Sequence, residues 1–207
     1  MIDKFCEYLT NKIRKKMPDV DDEQAEIIMY GIQLIIGEIP KVFSVFIIGA
    51  ILGLWWQTLL AFWILLPYKY ASGGFHLKSH LGCFLGTNLI YCGNAYISSI
   101  IELDIYTKIS FIVLNLIVGI IMVSIYAPAD TINMPILTKK ERKLKKTLSY
   151  IFLIINMLVA LLIPNTTISN LLIFGTFIQT FCITRLAYKL TKNEYGYENY
   201  LKETVNV

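Results

Sequence analysis

Apolar residues fill most of this chain, and the polar breaks between them mark out its elements. In residues 1–17, Ile2, Phe5, Cys6, Tyr8, Leu9, Ile13 and Met17 recur at helical spacing against Lys4, Lys12, Arg14, Lys15 and Lys16. That pattern predicts an amphipathic helix on an anionic membrane surface, or equally a solvated helix docked on the protein. Pro18-Asp-Val-Asp-Asp22 breaks it, and Asp21 or Asp22 is placed to cap the next helix. The stretch 27–36 is apolar but short, and Glu38 and Pro40 interrupt it. The stretch 39–56 approaches the roughly 20 residues that a bilayer crossing needs. The run 57–67 is too short to cross unless it extends into the Tyr70 region. The stretches 81–101, 109–127, 148–163 and 168–188 read as full spans. A polar loop covers 128–146, a tight turn covers 164–167, and the tail from Lys189 is mixed in charge and reads as exposed.

Composition agrees with a membrane protein. The chain of 207 residues is 56% hydrophobic, with mean hydropathy +0.57. Only 16% of it is charged, against about 25% in a soluble domain. The expected fold is all-α: one domain over 1–207, a polytopic membrane helical bundle of about six transmembrane helices preceded by the amphipathic 1–17 helix. The net charge of +4 gathers in short segments, which is a topology signal and not a nucleic-acid footprint. Lys139, Lys140, Arg142, Lys143, Lys145 and Lys146 assign the 131–147 segment to the cytoplasm, as the basic N-terminal arm assigns itself. The 102–108 and 164–167 connections suit the outside. Parity is satisfied if 27–36 and 39–56 together make one crossing, either as one helix kinked at Pro40 or with 27–36 interfacial. The first residues mix acids with lysines and do not read as a signal peptide. The four cysteines form no CxxC pair, so a disulfide framework is not expected.

Candidate chemistry is concentrated in Tyr70-Ala-Ser-Gly-Gly-Phe-His76-Leu-Lys-Ser-His80-Leu-Gly-Cys83-Phe-Leu-Gly86, which holds both histidines. Imidazole moves protons near neutral pH, and a neighbouring thiol can become a nucleophilic thiolate. On one straight helix, His76 and Cys83 would stand about 10 Å apart along the axis, beyond the ~3 Å a base needs. A Cys-His pair therefore requires a bend, for which Ser72-Gly73-Gly74 and Gly82 supply flexible backbone. The expected helix begins near 78–81, with His76 on the preceding loop. Cys83 then lies in a first turn, where free N–H groups and the dipole lower a thiol pKa and can stabilise an oxyanion.

Other readings of the same residues stay open. His80, three residues before Cys83, is the rival base on a regular helix. His76, His80 and Cys83 could furnish three zinc ligands, without an obvious fourth. Cys83 could equally be a packing residue, with the histidines as interfacial anchors. Gly82 and Gly86 form a GxxxG pattern whose ordinary role is helix packing. Cys6, Cys92 and Cys182 read as packing residues, and Trp55, Trp56 and Trp63 as interfacial or packing aromatics. Gln57, Asn88 and Asp130 are candidates for orienting the base.

Two stretches, Lys69-Tyr-Ala-Ser-Gly-Gly-Phe-His76-Leu-Lys-Ser-His-Leu-Gly-Cys83 and Tyr126-Ala-Pro-Ala-Asp130-Thr-Ile-Asn-Met-Pro135-Ile with the basic run after it, resemble the accessory gene regulator protein B (AgrB) family. The order and hydropathy of the segments extend the resemblance over essentially the whole chain. It implies a quorum-sensing membrane cysteine endopeptidase that removes the C-terminal part of an AgrD-type propeptide. A thioester on the enzyme then passes to a substrate thiol, closing a thiolactone (a lactone where serine replaces that cysteine). By position, Cys83 corresponds to the nucleophile and His76 to the base, with no metal or cofactor. Lys69 and Gly74 correspond to substrate-binding positions. Lys69 stands where the family often has arginine, so the charge is kept without the bidentate fork. The resemblance also implies a homodimer among membrane lipids, with the active site and both termini toward the cytoplasm of a bacterial cell membrane. The contrasting class is a non-enzymatic peptide exporter or membrane scaffold. Such a transporter would more often show an embedded charge or paired broken helices, and here the only candidate charge is Glu38.

Overall fold

The computed structural model describes residues 2–17, 20–77, 79–132 and 135–205. Among them the regular structure is helical, with one isolated parallel bridge between Gly73 and Ala129. The helices are α1 (Ile2–Lys16), α2 (Asp22–Ile51), α3 (Trp55–Ser72), α4 (His80–Ile100), α5 (Ile105–Tyr126), α6 (Lys139–Leu162), α7 (Thr166–Cys182), α8 (Arg185–Leu190) and α9 (Gly196–Val205). The expected all-α membrane bundle with an amphipathic N-terminal helix is the fold found. The chain divides into two compact units, 1–45 and 46–207.

In the first unit, Asp21 is the residue that caps α2, its carboxylate accepting from Gln24 N at 2.7 Å. Arg14 of α1 pairs with Asp22 at 2.7 Å. Helix α2 runs through 27–36, Glu38 and Pro40 without a break, so the short apolar stretch is the first half of one long helix. Glu38 is not an isolated charge, because Lys41 one turn later pairs with it.

In the second unit, α3 reaches Ser72, because Pro67 lies inside the helix and does not end it. Its C-cap is Gly73, whose φ of +76° suits glycine. Asp104, Thr138 and Asn165 cap α5, α6 and α7, each side chain accepting from an orphan N–H of the first turn. The 128–146 loop is shorter than expected. Six of its basic residues belong to the first turns of α6, where Thr138 supplies the cap and Glu141 pairs with Lys145 at 3.8 Å. Among the described residues, α2 (from Gln24), α5 and α6 are long and apolar enough to cross a membrane, and α7 is a shorter apolar helix.

Helix α7 packs against α3, α4, α5 and α6. It is apolar on average yet carries a buried polar set, and every member ties it to another element. Asn170 donates to Ile101 O at 2.7 Å, and Ser169 to Ala160 O at 2.8 Å. Thr176 accepts from Asn156 at 3.1 Å, and Thr180 shares a hydrogen bond with Tyr68 at 2.9 Å. In a membrane interior such bonds, with close packing, hold helices together where hydrophobicity alone does not. Gly175 lets α3 and α4 approach, since a Cβ there would lie 2.7 Å from Leu65 and 2.8 Å from Asn94 Nδ2.

The tail is not simply exposed. Tyr195 stacks on Tyr188 with centroids 4.1 Å apart and donates to Ile183 O at 2.8 Å. Burial pushes its phenol above the ordinary range, which suits a fixed donor. Gly196 sits so close to Thr131 O that a Cβ would meet it at 2.2 Å.

Candidate active site

The chain turns sharply after α3. Gly73 and Gly74 have φ of +76° and +138°, so two consecutive residues lie in the region open mainly to glycine. The turn docks on the segment after α5. Gly74 N donates to Ala129 O, and Ala129 N to Ser72 O, both at 2.8 Å. From α7, Gln179 Nε2 donates to Ser72 Oγ at 2.9 Å and to Gly73 O at 2.7 Å. Phe75 packs against the core of Tyr68, Val123, Ile183 and Tyr188, and its N–H reaches Cys182 O at 3.4 Å.

His76 follows on this loop, exposed to solvent. Its carbonyl accepts from Asn193 Nδ2 at 2.7 Å. Leu77 lies against the face of α4 opened by Gly82 and Gly86. A Cβ on Gly86 would meet Leu77 Cδ1 at 3.1 Å, and one on Gly82 would lie 3.6 Å from Leu77 Cβ. The GxxxG strip thus receives a side chain of the same loop. On a helix this strip adjoins that of Cys83, so the residue after His76 is seated beside the cysteine's position.

Helix α4 begins at His80, within the expected window. Ser79 is its N-cap, with its hydroxyl accepting from Gly82 N at 3.0 Å and its carbonyl from Cys83 N at 2.9 Å. Cys83, half-buried, lies in the first turn. Its own N–H is engaged by that cap. The chain bends between His76 and Cys83, as the pairing requires. Lys78 and the side chain of His80 lie outside the described residues, as do Asn133 and Met134. Cys6, Cys92 and Cys182 are buried, and none of the four cysteines forms a disulfide.

Lys69, in the last turn of α3, accepts from Gly73 N at 2.9 Å through its carbonyl. The N–H of Gly74 is taken by Ala129, and this glycine's contribution is its φ of +138°. Asn88 donates to Phe84 O at 2.8 Å on α4, and Gln57 is buried near the start of α3. Asp130 belongs to a clip beside the loop. Its Oδ2 accepts from Ile136 N at 2.9 Å, Arg142 at 3.0 Å and Tyr197 N at 3.1 Å. Tyr188 donates to Asp130 O at 3.0 Å, and Arg142 stacks on the Tyr197 ring at 4.1 Å. Sequence reasoning missed Gln179, Asn193 and Leu77. Only Leu77 left a signal, its adjacency to His76.

The family model for accessory gene regulator B matches residues 6–183. An AgrB-like protein of Listeria monocytogenes serovar 1/2a is 29% identical over 203 residues, 96% of this chain and 94% of the relative. Accessory gene regulator protein B of Staphylococcus aureus strain RF122 is 30% identical over 162 residues, 78% of this chain and 81% of the relative. An AgrB-like protein of Clostridium perfringens strain SM101 is 29% identical over 153 residues, 70% of this chain and 69% of the relative. No solved structure matches. A helical membrane fold, a bent glycine loop carrying histidine ahead of a cysteine, and a family match over most of the length lead to one assignment: the chain belongs to the accessory gene regulator B family.

Proposed function

We propose that this protein is a membrane cysteine endopeptidase that processes an AgrD-type propeptide in quorum sensing. The observation that carries the proposal is family membership, together with a loop that bends His76 away from the axis of the helix bearing Cys83. Cys83 Sγ attacks the scissile carbonyl while His76 takes the thiol proton. The C–N bond breaks, the proton passes to the leaving amine, and the C-terminal fragment departs, leaving a thioester on Cys83. A substrate thiol then attacks the thioester. Cys83 is released with its proton restored, and the macrocycle closes as a thiolactone. A site sheltered from bulk water favours this transfer over hydrolysis.

The topology proposed with it has six crossings, α2 to α7, and places both termini, the glycine loop and the basic start of α6 on the cytoplasmic side. An amphipathic propeptide on the inner leaflet would present its cleavage site there. Lys69 and Gly74 line the substrate's approach. The enzyme acts as a homodimer.

The test is cleavage of a co-expressed AgrD-type propeptide in membranes by wild type, Cys83→Ser, Cys83→Ala, His76→Ala and His80→Ala. Product is expected from wild type and His80→Ala only. Full cleavage by Cys83→Ala would overturn the mechanism and leave the exporter or scaffold reading. Loss in His80→Ala with activity in His76→Ala would move the base to His80.

A further inference from the structure

The glycine loop is held along its length, but its ties differ in kind. Gly73, Gly74 and Phe75 are fixed by buried partners: Gln179, Ala129 and the Cys182 carbonyl. His76 is exposed, and the tie found at its backbone is the 2.7 Å bond from Asn193 Nδ2. Asn193 lies 117 positions away in sequence, beyond the 6–183 region that the family model matches. The family reading therefore does not supply this contact.

Asn193 is itself rigidly placed. Lys192 before it adopts φ of +54°, a left-handed turn that reverses the chain after α8. Asn193 N donates back to Tyr188 O at 2.8 Å. Its side-chain amide also donates to Thr191 Oγ1 at 2.9 Å and Thr191 O at 3.3 Å. Two residues on, Tyr195 is locked by its stack on Tyr188 and its bond to Ile183 O. A donor fixed on both sides therefore meets the carbonyl of the residue whose side chain has to reach Cys83. On the opposite side of that residue, Leu77 sits against Gly82 and Gly86.

We infer that Asn193 is a positioning residue for His76: it holds the His76 backbone so that the imidazole swings from a fixed point toward Cys83. The inference rests on the peptidase reading and adds to it a determinant from the C-terminal segment. Its effect is on geometry, so it belongs to kcat and to the reactivity of the thiol, and not to substrate binding.

The test uses full-length protein in membranes. Asn193→Ala removes the donor. Asn193→Asp keeps the shape but turns an acceptor toward the His76 carbonyl. Two readouts are taken: steady-state cleavage of an AgrD-type propeptide, and the pH profile of Cys83 alkylation by iodoacetamide, followed on the Cys83 peptide by mass spectrometry. Both variants are expected to lose about 10- to 100-fold in kcat, with KM changed less than about 2-fold. The alkylation profile is expected to shift to higher pH, toward that of His76→Ala. In a His76→Ala background, Asn193→Ala is expected to change alkylation no further. A second, additive loss there would mark Asn193 as general fold support and overturn the inference. So would wild-type kcat and alkylation in Asn193→Asp, the variant that decides if Asn193→Ala fails to accumulate. Retained cleavage in Cys83→Ala and His76→Ala, run alongside, would instead show that the peptidase reading itself had failed.

Discussion

Gly73→Ala tests the packing of the candidate site most directly, because a single methyl meets backbone and not a side chain. The Cβ would lie 2.2 Å from Ala129 O and 2.9 Å from Ala129 C, against the 3.4 Å or more of ordinary contact. Neither partner is the free end of a flexible group. Gly73 also has φ of +76° and ψ of −146°, a region that alanine enters at about 1–3 kcal/mol. Relieving the clash separates the two segments joined at the bridge, which carries the Gly74–Ala129 and Ala129–Ser72 hydrogen bonds. Each contributes about 0.5–1.5 kcal/mol. Strain and lost bonds together give about 4 kcal/mol, or a fall in Tm of roughly 8–16 °C for a chain of this size.

Activity is expected to fall further than stability alone explains. The loop leading to His76 must shift by about an ångström, a displacement that can cost about 100-fold in rate. The assay is a thermal melt in detergent beside propeptide cleavage in membranes. Gly93→Ala is the control, since a Cβ there meets nothing within 4 Å. Alanine's helix preference, up to about 1 kcal/mol, then favours the variant. Wild-type melting and cleavage in Gly73→Ala would refute the reasoning, because no rotamer change can make room beside a backbone carbonyl.

Arg142→Ala leaves the fully buried Asp130 carboxylate with backbone N–H partners alone, and is expected to destabilise by about 3–5 kcal/mol. The loss should be smaller when Asp130→Asn is already present, which a double-mutant cycle of melting curves measures. Gly175→Ala, whose Cβ meets both Leu65 methyls and Asn94, should cost about 1–3 kcal/mol by forcing α3 and α4 away from α7. The cap of α5 is expected to depend on pH. The side-chain bond from Thr107, then the backbone N–H groups of Thr107 and Tyr106, hold the Asp104 carboxyl below its usual range. Its stabilisation is therefore complete above the ordinary carboxylate pKa and lost as pH falls through the lowered value. Once the pH dependence of intrinsic exchange is corrected for, faster amide exchange at Tyr106 and Thr107 in acid would show this, and pH-independent protection would refute it.

The helices were legible because long apolar runs announce themselves: α4 and α5 fall close to their expected stretches, while α6 starts nine residues earlier and α7 ends six residues earlier than expected. Pro67 and the basic run misled for opposite reasons. Proline inside α3 looks like a stop, yet the helix runs on past Pro67 to Ser72. Six basic residues look like a loop, yet they lie in the first turns of α6, behind the Thr138 cap and with Glu141 paired to Lys145. The requirement for a bend before Cys83 followed from helix geometry alone. What fixes that bend did not, because Ala129, Gln179, Cys182 and Asn193 are all distant in sequence and leave no local period. A loop with two consecutive glycines has little intrinsic order, so its shape must come from what packs on it. Three of those four residues lie in or after α7. The frame of the candidate site is therefore complete only when α7 and the segment after it have packed on the loop, and a chain still short of α7 has the cysteine and the histidine without that frame.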